Sequence, residues 1–333
     1  MKALMVASVA SMIDQFNREN ISLLQTMGYE VDVACNFEVG NTSSEERVKR
    51  FRQELQKQEV GTFQLPIPRK ILAFSDMIQA YKQLKKMVEE KQYTLVHCHS
   101  PIGSVIARLA CRKQRKKGLK LIYTAHGFHF FTGAPKKNWL IFYPIEKIFA
   151  RYTDILITIC SEDYQRARKK KLGKNIVYSP GVGIDVDKVK KIDKKADKRQ
   201  MLGIREKDIL VLSVGELNQN KNHETIVRAL KQLNRTDVHY VICGQGDKKE
   251  ELERTAKQFG MEERLHLLGF RTDALEWMKV ADLFAFPSYR EGLPVSLMEA
   301  MAAGLPVVCS KIRGNVDLIK DGEGGYMCEP MDV

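Results

Sequence analysis

The feature that most constrains this chain is an alternation. Short runs of apolar residues recur along it, and an amphipathic stretch follows each one. Ala3–Val9, Tyr29–Cys35, Thr94–Cys98, Leu121–Thr124 and Asp154–Cys160 read as strands in the first half. Ile209–Val214, Tyr240–Cys243, Leu265–Leu268, Leu283–Phe286 and Val307–Cys309 continue the series. Runs that are apolar at nearly every position suit strands buried on both faces, which occur in parallel sheets covered by helices. The intervening segments carry helical period. Asp14–Met27 reads as one helix closed by Gly28. Pro101 opens another, with Ile102, Val105, Ile106 and Leu109 on one face.

A chain of 333 residues with 44% hydrophobic content can fill more than one core. Ser179–Gly183 is turn-rich, and a charged run from Asp187 to Arg199 follows it, so the spacing predicts two doubly wound α/β domains, 1–185 and 186–333. The N-terminus has the outline of a signal peptide, but Ser8, Ser11 and Asp14 interrupt it; a buried first strand running into a helix fits better. No stretch approaches the ~18–20 apolar residues that span a bilayer. The seven cysteines are scattered in strand-like runs and read as buried free thiols. His97-Cys98-His99 lacks a second ligand pair at zinc-like spacing, so no metal is expected there.

Charge is uneven. Residues 1–185 hold 30 Lys and Arg against 17 Asp and Glu, whereas residues 186–333 hold 24 of each. The net +13 therefore belongs to the first half and points to an anionic partner. Arg112–Lys117 and Arg166–Lys171 are basic, and between them lies the aromatic stretch Phe128–Tyr143. Basic clusters beside aromatics suit an anionic membrane surface. No recognition element for nucleic acid is visible.

The strongest site signal is Phe286 to Val308. A strand ends at Phe286, a loop with Gly292 follows, and Pro294 stands where a helix begins. The first amides of a helix lack internal partners and, with the helix dipole, favour an anion. Glu299 then sits in a helix apolar nearly all round, which should be buried. A carboxylate there needs a partner, either a neighbouring backbone group or a ligand.

Glu291 and Glu299, set in Ser-x-x-Glu-Gly-Leu-Pro…Glu-Ala-Met-Ala-x-Gly-x-Pro-Val-Val, resemble the signature of the family-4 retaining glycosyltransferases of the GT-B fold. The likeness extends to Thr124–Gly127, Pro180–Asp185, Val214–His223, Cys243–Asp247, Gly269–Arg271 and Ala281–Ser288. It implies two Rossmann-like domains facing a central cleft. The N-terminal one would hold the acceptor, the C-terminal one a nucleotide sugar, with uridine diphosphate the expected nucleotide. In the family a final helix crosses back to the N-terminal domain; the sequence stops at Val333, after a strand-like Gly325–Cys328 and before any such helix.

The resemblance implies residue roles. Glu299 would bind the ribose and Glu291 lie beside the donor sugar. Gly292 and Leu293 would meet the diphosphate, and Lys221 would stabilise the departing nucleoside diphosphate. Gly215, Asn218, Gly246, Phe270 and Arg271 complete the expected donor site, and His126 would position the sugar near its anomeric carbon. One departure stands out: Glu216 follows Gly215 where the family often has Arg, so Asn218 or Lys221 must carry more of the phosphate contact. The loop after the first strand also lacks the Gly-Gly of many relatives. In it Asp14 is a candidate for orienting an acceptor hydroxyl, against the plainer role of a helix-start acid. Asp185-Val-Asp187 spells a metal motif of other glycosyltransferases but reads as a hinge element, so the expected reaction needs no metal and no cofactor. The expected acceptor is a polyprenyl-diphosphate-linked glycan, met by a cytoplasmic protein peripheral to the inner face of the membrane. Rival readings are a nucleotide-sugar epimerase on the same fold and a non-enzymatic basic module for membrane or nucleic acid.

Overall fold

The computed structural model describes residues 1–69, 73–195 and 197–333. The chain divides into two compact units, Met1–Gly181 and Val182–Val333, with the division inside the turn-rich segment. In the first unit the order is β1 (Lys2–Val9), α1 (Ala10–Phe16), α2 (Arg18–Thr26), β2 (Glu30–Asn36), α3 (Glu45–Lys57), β3 (Gly61–Gln64), α4 (Phe74–Lys91), β4 (Leu95–His99), α5 (Pro101–Arg115), β5 (Lys120–Ala125), α6 (Lys136–Phe149), β6 (Ile155–Thr158), α7 (Ser161–Lys170) and β7 (Asn175–Tyr178). Its seven strands are ordered β3-β2-β1-β4-β5-β6-β7, all pairs parallel.

The second unit runs α8 (Val186–Lys190), α9 (Asp197–Gln200), β8 (Ile209–Val214), α10 (His223–Leu233), β9 (Val238–Cys243), α11 (Lys249–Gln258), β10 (Leu265–Leu267), α12 (Ala274–Val280), β11 (Leu283–Phe286), α13 (Val295–Ala302), β12 (Val307–Ser310) and β13 (Gly325–Cys328). Its sheet is β10-β9-β8-β11-β12-β13, again parallel. Both sheets reverse strand order once, at β1/β4 and at β8/β11. Loops beyond the carboxyl ends of such strands form the crevice where open α/β sheets bind ligands.

Each sheet has a core on each face because the strand pleat alternates. Leu4 and Val6 pack with Val96, Leu121 and the buried face of α5, while Ala3, Met5 and Ala7 pack against α1–α3. In the second unit Leu210, Leu212 and Phe284 meet Trp277 and Leu297, and Val211, Tyr240 and Ile242 meet Val227 and Leu252. The six cysteines of this interior pattern are buried, and Cys328 is half-buried.

Several boundaries differ from the sequence expectation. Residues 14–27 are two helices, because the chain turns out of helical geometry at Asn17, whose amide side chain bonds the Met12 carbonyl. The strands β3 and β7 escaped notice since both lie at sheet edges with little burial, so the apolar signal is weak. Asp185 is the N-cap of α8, its carboxylate accepting from the Lys188 amide at 2.8 Å, and Asp187 lies in the first turn.

Candidate functional site

In the second unit the loops after β8 and β11 meet at the reversal point. The β8 loop, 215–222, is fastened to the β11 loop by side-chain amides. Asn220 Nδ2 donates to the Arg290 carbonyl at 2.9 Å, Asn222 Nδ2 donates to the Pro287 carbonyl at 3.1 Å, and the Tyr289 amide donates to the Asn220 carbonyl at 2.8 Å. Across this seam Lys221 Nζ reaches Glu291 Oε1 at 2.8 Å. The ammonium also stands 4.7 Å from the Phe286 ring centroid. Sequence reasoning treated Lys221 and Glu291 as separate contributors; the fold makes them an ion pair.

The glycines of these loops have steric reasons. Gly215 lies under the Lys221 stem, where a Cβ would be 3.0 Å from Cε. Gly244 and Gly246, in the loop after β9, approach the β8 loop so closely that a Cβ would fall 1.7 Å from the Gly215 oxygen or 2.2 Å from the Leu217 oxygen. Gly246 was expected to touch the donor. Its observed role is to let the two loops lie together, with the Leu217 amide bonded to the Gln245 carbonyl at 3.0 Å. Gly314, after β12, has φ 85° and abuts the Gly292 carbonyl, while Arg313 Nε donates to the Glu291 carbonyl at 3.0 Å.

A buried polar chain supports the β8 loop from below. Ser213 Oγ donates to the Ala285 carbonyl at 2.6 Å and lies 2.8 Å from the Tyr240 hydroxyl. That hydroxyl is 2.9 Å from His223 Nδ1, and His223 Nε2 is 3.3 Å from the Glu216 carbonyl. Burial, and after it the Lys221 charge, lower the His223 pKa to about 4, so the ring is neutral near pH 7. An Nε2–H tautomer then fits both contacts, donating to the loop carbonyl and accepting from Tyr240.

The helix that follows is α13. Pro294 is its cap residue rather than its first helical residue. Among the described residues, the amides of Gly292, Leu293, Val295, Ser296 and Leu297 find no protein acceptor. Glu299 corrects the expectation of full burial. Only Leu297 and Ala300 of the helix are buried; Glu299 is half-buried, and Met301 is exposed. The helix is apolar all round for a different reason than packing on every side. No hydrogen bond or ion pair to the Glu299 carboxylate exists among the described residues. Burial raises its pKa, with the Lys188 charge opposing. The structural alternative for Glu299, a bond to nearby backbone, is therefore not realised.

Other expected residues fare differently. Asn218 is occupied within its own loop: Nδ2 donates to Glu216 Oε2 at 2.8 Å and Oδ1 accepts from the Lys221 amide at 3.0 Å. Glu216 is exposed and held by that bond. Arg271 is bound in a fork by Asp273, at 2.7 and 2.6 Å, and Asp273 also receives Lys198 at 2.5 Å. Phe270 beside it is exposed on the loop after β10, which a bridge between Gly244 and Gly269 ties to the β9 loop. Arg290, directly before Glu291, was passed over, although it precedes the strongest motif of the chain.

In the first unit His126 follows β5. Its Nε2 is 3.0 Å from His99 Nδ1, and His99 Nε2 is 3.1 Å from Met5 Sδ. A thioether sulfur only accepts, so His99 carries its proton on Nε2 and its Nδ1 accepts from His126 Nε2–H. The remaining lone pair of His126, at Nδ1, is thus an acceptor. Burial lowers the His126 pKa to about 4 and the His97 pKa to about 3. The pleat separates His97-Cys98-His99: the two imidazoles lie 4.2 Å apart on one face, and Cys98 packs in the core on the other.

Asp14 is a correction. Its carboxylate accepts from Arg18 Nη2 at 2.5 Å and from Arg47 Nε and Nη2 at 2.8 and 2.7 Å. Those guanidiniums also hold Glu54. The carboxylate is saturated by two cations and lies past the first turn of α1, so it neither orients a hydroxyl nor caps a helix.

Comparison with known proteins follows the two-unit division. A family model described as "Glycosyltransferase Family 4" matches residues 16–186, and one described as "Glycosyl transferases group 1" matches residues 194–333. The chain is similar to a Bacillus subtilis (strain 168) protein named "Putative glycosyltransferase EpsD", with 34% identity over 98% of this chain and 83% of that protein. It is also similar to an Escherichia coli UDP-Gal:alpha-D-GlcNAc-diphosphoundecaprenol alpha-1,3-galactosyltransferase, 31% identical over 77% of this chain and 67% of that one. Among solved structures, Anabaena HepE in complex with UDP and glucose has a TM-score of 0.76 at 20% identity, covering 99% of this chain and 86% of that chain. WaaG, a glycosyltransferase involved in lipopolysaccharide biosynthesis, has a TM-score of 0.71 at 20% identity, covering 99% and 86%.

Proposed function

The chain belongs to the family-4 glycosyltransferases with the GT-B fold, and on that premise we propose that it transfers a hexose or N-acetylhexosamine, with retention, from a uridine diphosphate sugar to a polyprenyl-diphosphate-linked glycan. The observation that carries the donor reading is Glu299. Among the described residues, a half-buried carboxylate with no hydrogen bond or ion pair stands one turn into a helix whose first amides also find no acceptor. Val295 and Glu299 are about 6 Å apart along the axis, at 1.5 Å per residue. Side chains lean toward the helix start, so the carboxylate is carried toward the amides. One nucleoside diphosphate supplies both missing partners: ribose hydroxyls for Glu299 and phosphate oxygens for the amides.

In this reading the bond from the anomeric carbon to the diphosphate oxygen breaks, and the acceptor hydroxyl oxygen bonds to that carbon. The hydroxyl proton passes to the departing diphosphate. Charge that develops on the leaving oxygen is stabilised by Lys221 and the amides of Gly292 and Leu293, which need no rearrangement when the bond breaks. Glu291 holds the Lys221 ammonium in place. Phe270 offers an exposed ring for the base. We propose a reaction that needs no metal ion, these groups supplying the positive charge. A hydrolysis screen with sugar nucleotides tests the donor: release of uridine diphosphate from one of them, lost in Glu299→Ala and Lys221→Ala, is expected. Turnover and binding absent for every nucleotide sugar would defeat it.

The acceptor side is supported by relatives and by α6. The Escherichia coli relative is named for a diphosphoundecaprenol-linked acceptor. No helix among the described residues is long and apolar enough to cross a membrane. One face of α6 exposes Lys137, Leu140, Ile141, Pro144, Lys147 and Ile148. Lys147 Nζ bonds the Lys170 carbonyl at 2.5 Å, so the exposed Arg168–Lys171 run adjoins this face. Apolar side chains ringed by lysines suit the surface of an anionic leaflet, and we propose peripheral attachment at the cytoplasmic face. Flotation with phosphatidylglycerol vesicles checks it; a chain that stays below at low salt would rule the attachment out.

A further inference from the structure

The β11 loop holds a cation whose guanidinium has no hydrogen-bonding partner among the described residues. Arg290 is half-buried, and among the described residues its guanidinium has no hydrogen bond to any carboxylate, carbonyl or hydroxyl. Its backbone is firmly held: the carbonyl by Asn220 from the β8 loop, and the next carbonyl, that of Glu291, by Arg313 from beyond β12. Gly314 closes on Gly292 at the same place. Two loops, those after β8 and β12, therefore fix the segment that carries the guanidinium. Burial, followed by the like charge of Arg313, lowers the Arg290 pKa, while the Glu291 carboxylate opposes them. A desolvated cation opposed by another and lacking a partner is costly, and an anion relieves that cost.

Charge at these loops sharpens the point. Lys221, the expected phosphate cation, is already compensated by Glu291 at 2.8 Å. Glu216 adds a negative charge to the β8 loop, where Asn218 Nδ2 donates to it at 2.8 Å. Arg271 is committed to Asp273. Among the described residues of these loops, Arg290 is a guanidinium not committed to a carboxylate, available to a diphosphate carrying two or more negative charges.

We propose that Arg290 binds the donor diphosphate in this chain. The inference rests on the nucleotide-sugar reading above. The guanidinium fork can donate two parallel N–H bonds to phosphate oxygens, which a lysine cannot match. Contact with the leaving group makes Arg290 a catalytic residue, important both for binding and for the bond-breaking step.

Calorimetry on the full chain with UDP, together with ligand-observed NMR with uridine, tests this. Arg290→Gln is expected to weaken UDP by about 10- to 100-fold, the loss of charge-assisted bonds, while uridine binding and the melting temperature stay as in the wild type. Arg290→Lys should recover only part of the loss. Unchanged UDP affinity in Arg290→Gln would overturn the assignment and leave the nucleotide reading intact. Equal losses for UDP and uridine, with a lowered melting temperature, would show a structural role and overturn it too. A wild-type chain that binds none of UDP, GDP, ADP and dTDP would defeat the nucleotide reading, and this assignment with it.

Discussion

Glu299 illustrates a residue that works against the stability of its own fold. Burial raises its pKa, so at neutral pH the helix carries an ionised group that the interior disfavours. Glu299→Gln removes that cost and should raise the melting temperature of the ligand-free protein at pH 8, while UDP no longer stabilises it. A melting temperature lower than wild type without ligand would contradict this. Such opposition between stability and activity is common where a site waits for its ligand. Lys221 behaves in the opposite sense. Lys221→Ala strands the half-buried Glu291, and should cost about 1–3 kcal/mol by urea unfolding. Donor hydrolysis should fall by about 10²- to 10³-fold, as when one leaving-group stabiliser is removed.

At the scale of elements, the proposed donor site is a product of loop-on-loop packing. Glycine permits it at Gly244, Gly246 and Gly314, each facing a carbonyl oxygen where a methyl group cannot fit. Gly246→Ala should push the β9 loop away from Leu217 and cost about 1–3 kcal/mol as overpacking. Nucleotide affinity should fall with it, because the missing Cβ of Gly246 faces the Leu217 carbonyl of the β8 loop. Equilibrium unfolding and UDP titration on one preparation separate the two effects; a stable variant with selectively lost affinity would return Gly246 to a direct contact. The polar chain Ser213–Tyr240–His223 makes the same loop rigid from beneath.

For the whole molecule, the first unit carries its own pH sensitivity. His97 and His126 titrate at about 3 and about 4 when folded, against about 6.5 unfolded. Both are depressed bases, so above pH 6.5 neither state binds the proton and stability is unaffected. Below 6.5 the unfolded chain takes up protons first, and folded stability falls as pH drops toward 4. Each fully shifted histidine costs about 1.4 kcal/mol per pH unit in that window. The expected result is a melting transition for Met1–Gly181 several degrees lower at pH 5 than at pH 7.5, and softened by His97→Gln. Equal melting temperatures at the two pH values would show that these rings are not buried neutral.

Strand–helix alternation was enough to determine two parallel α/β layers, because a strand buried on both faces must be apolar throughout and a covering helix must be apolar on one side. The motif from Phe286 to Val308 likewise identified the family and the helix that begins at Val295. Edge strands β3 and β7 stayed hidden, since an edge needs little burial and leaves little pattern. Pairing was decided in three dimensions. Lys221 lies against Glu291, 70 residues on, and Arg47 reaches back 33 residues to Asp14, separations along the chain that carry no periodicity. Absence of pairing was decided there as well. The sequence marks Glu299 as a carboxylate in need of a partner; the packed structure shows that both Glu299 and Arg290 are half-buried without a side-chain hydrogen bond or ion pair among the described residues.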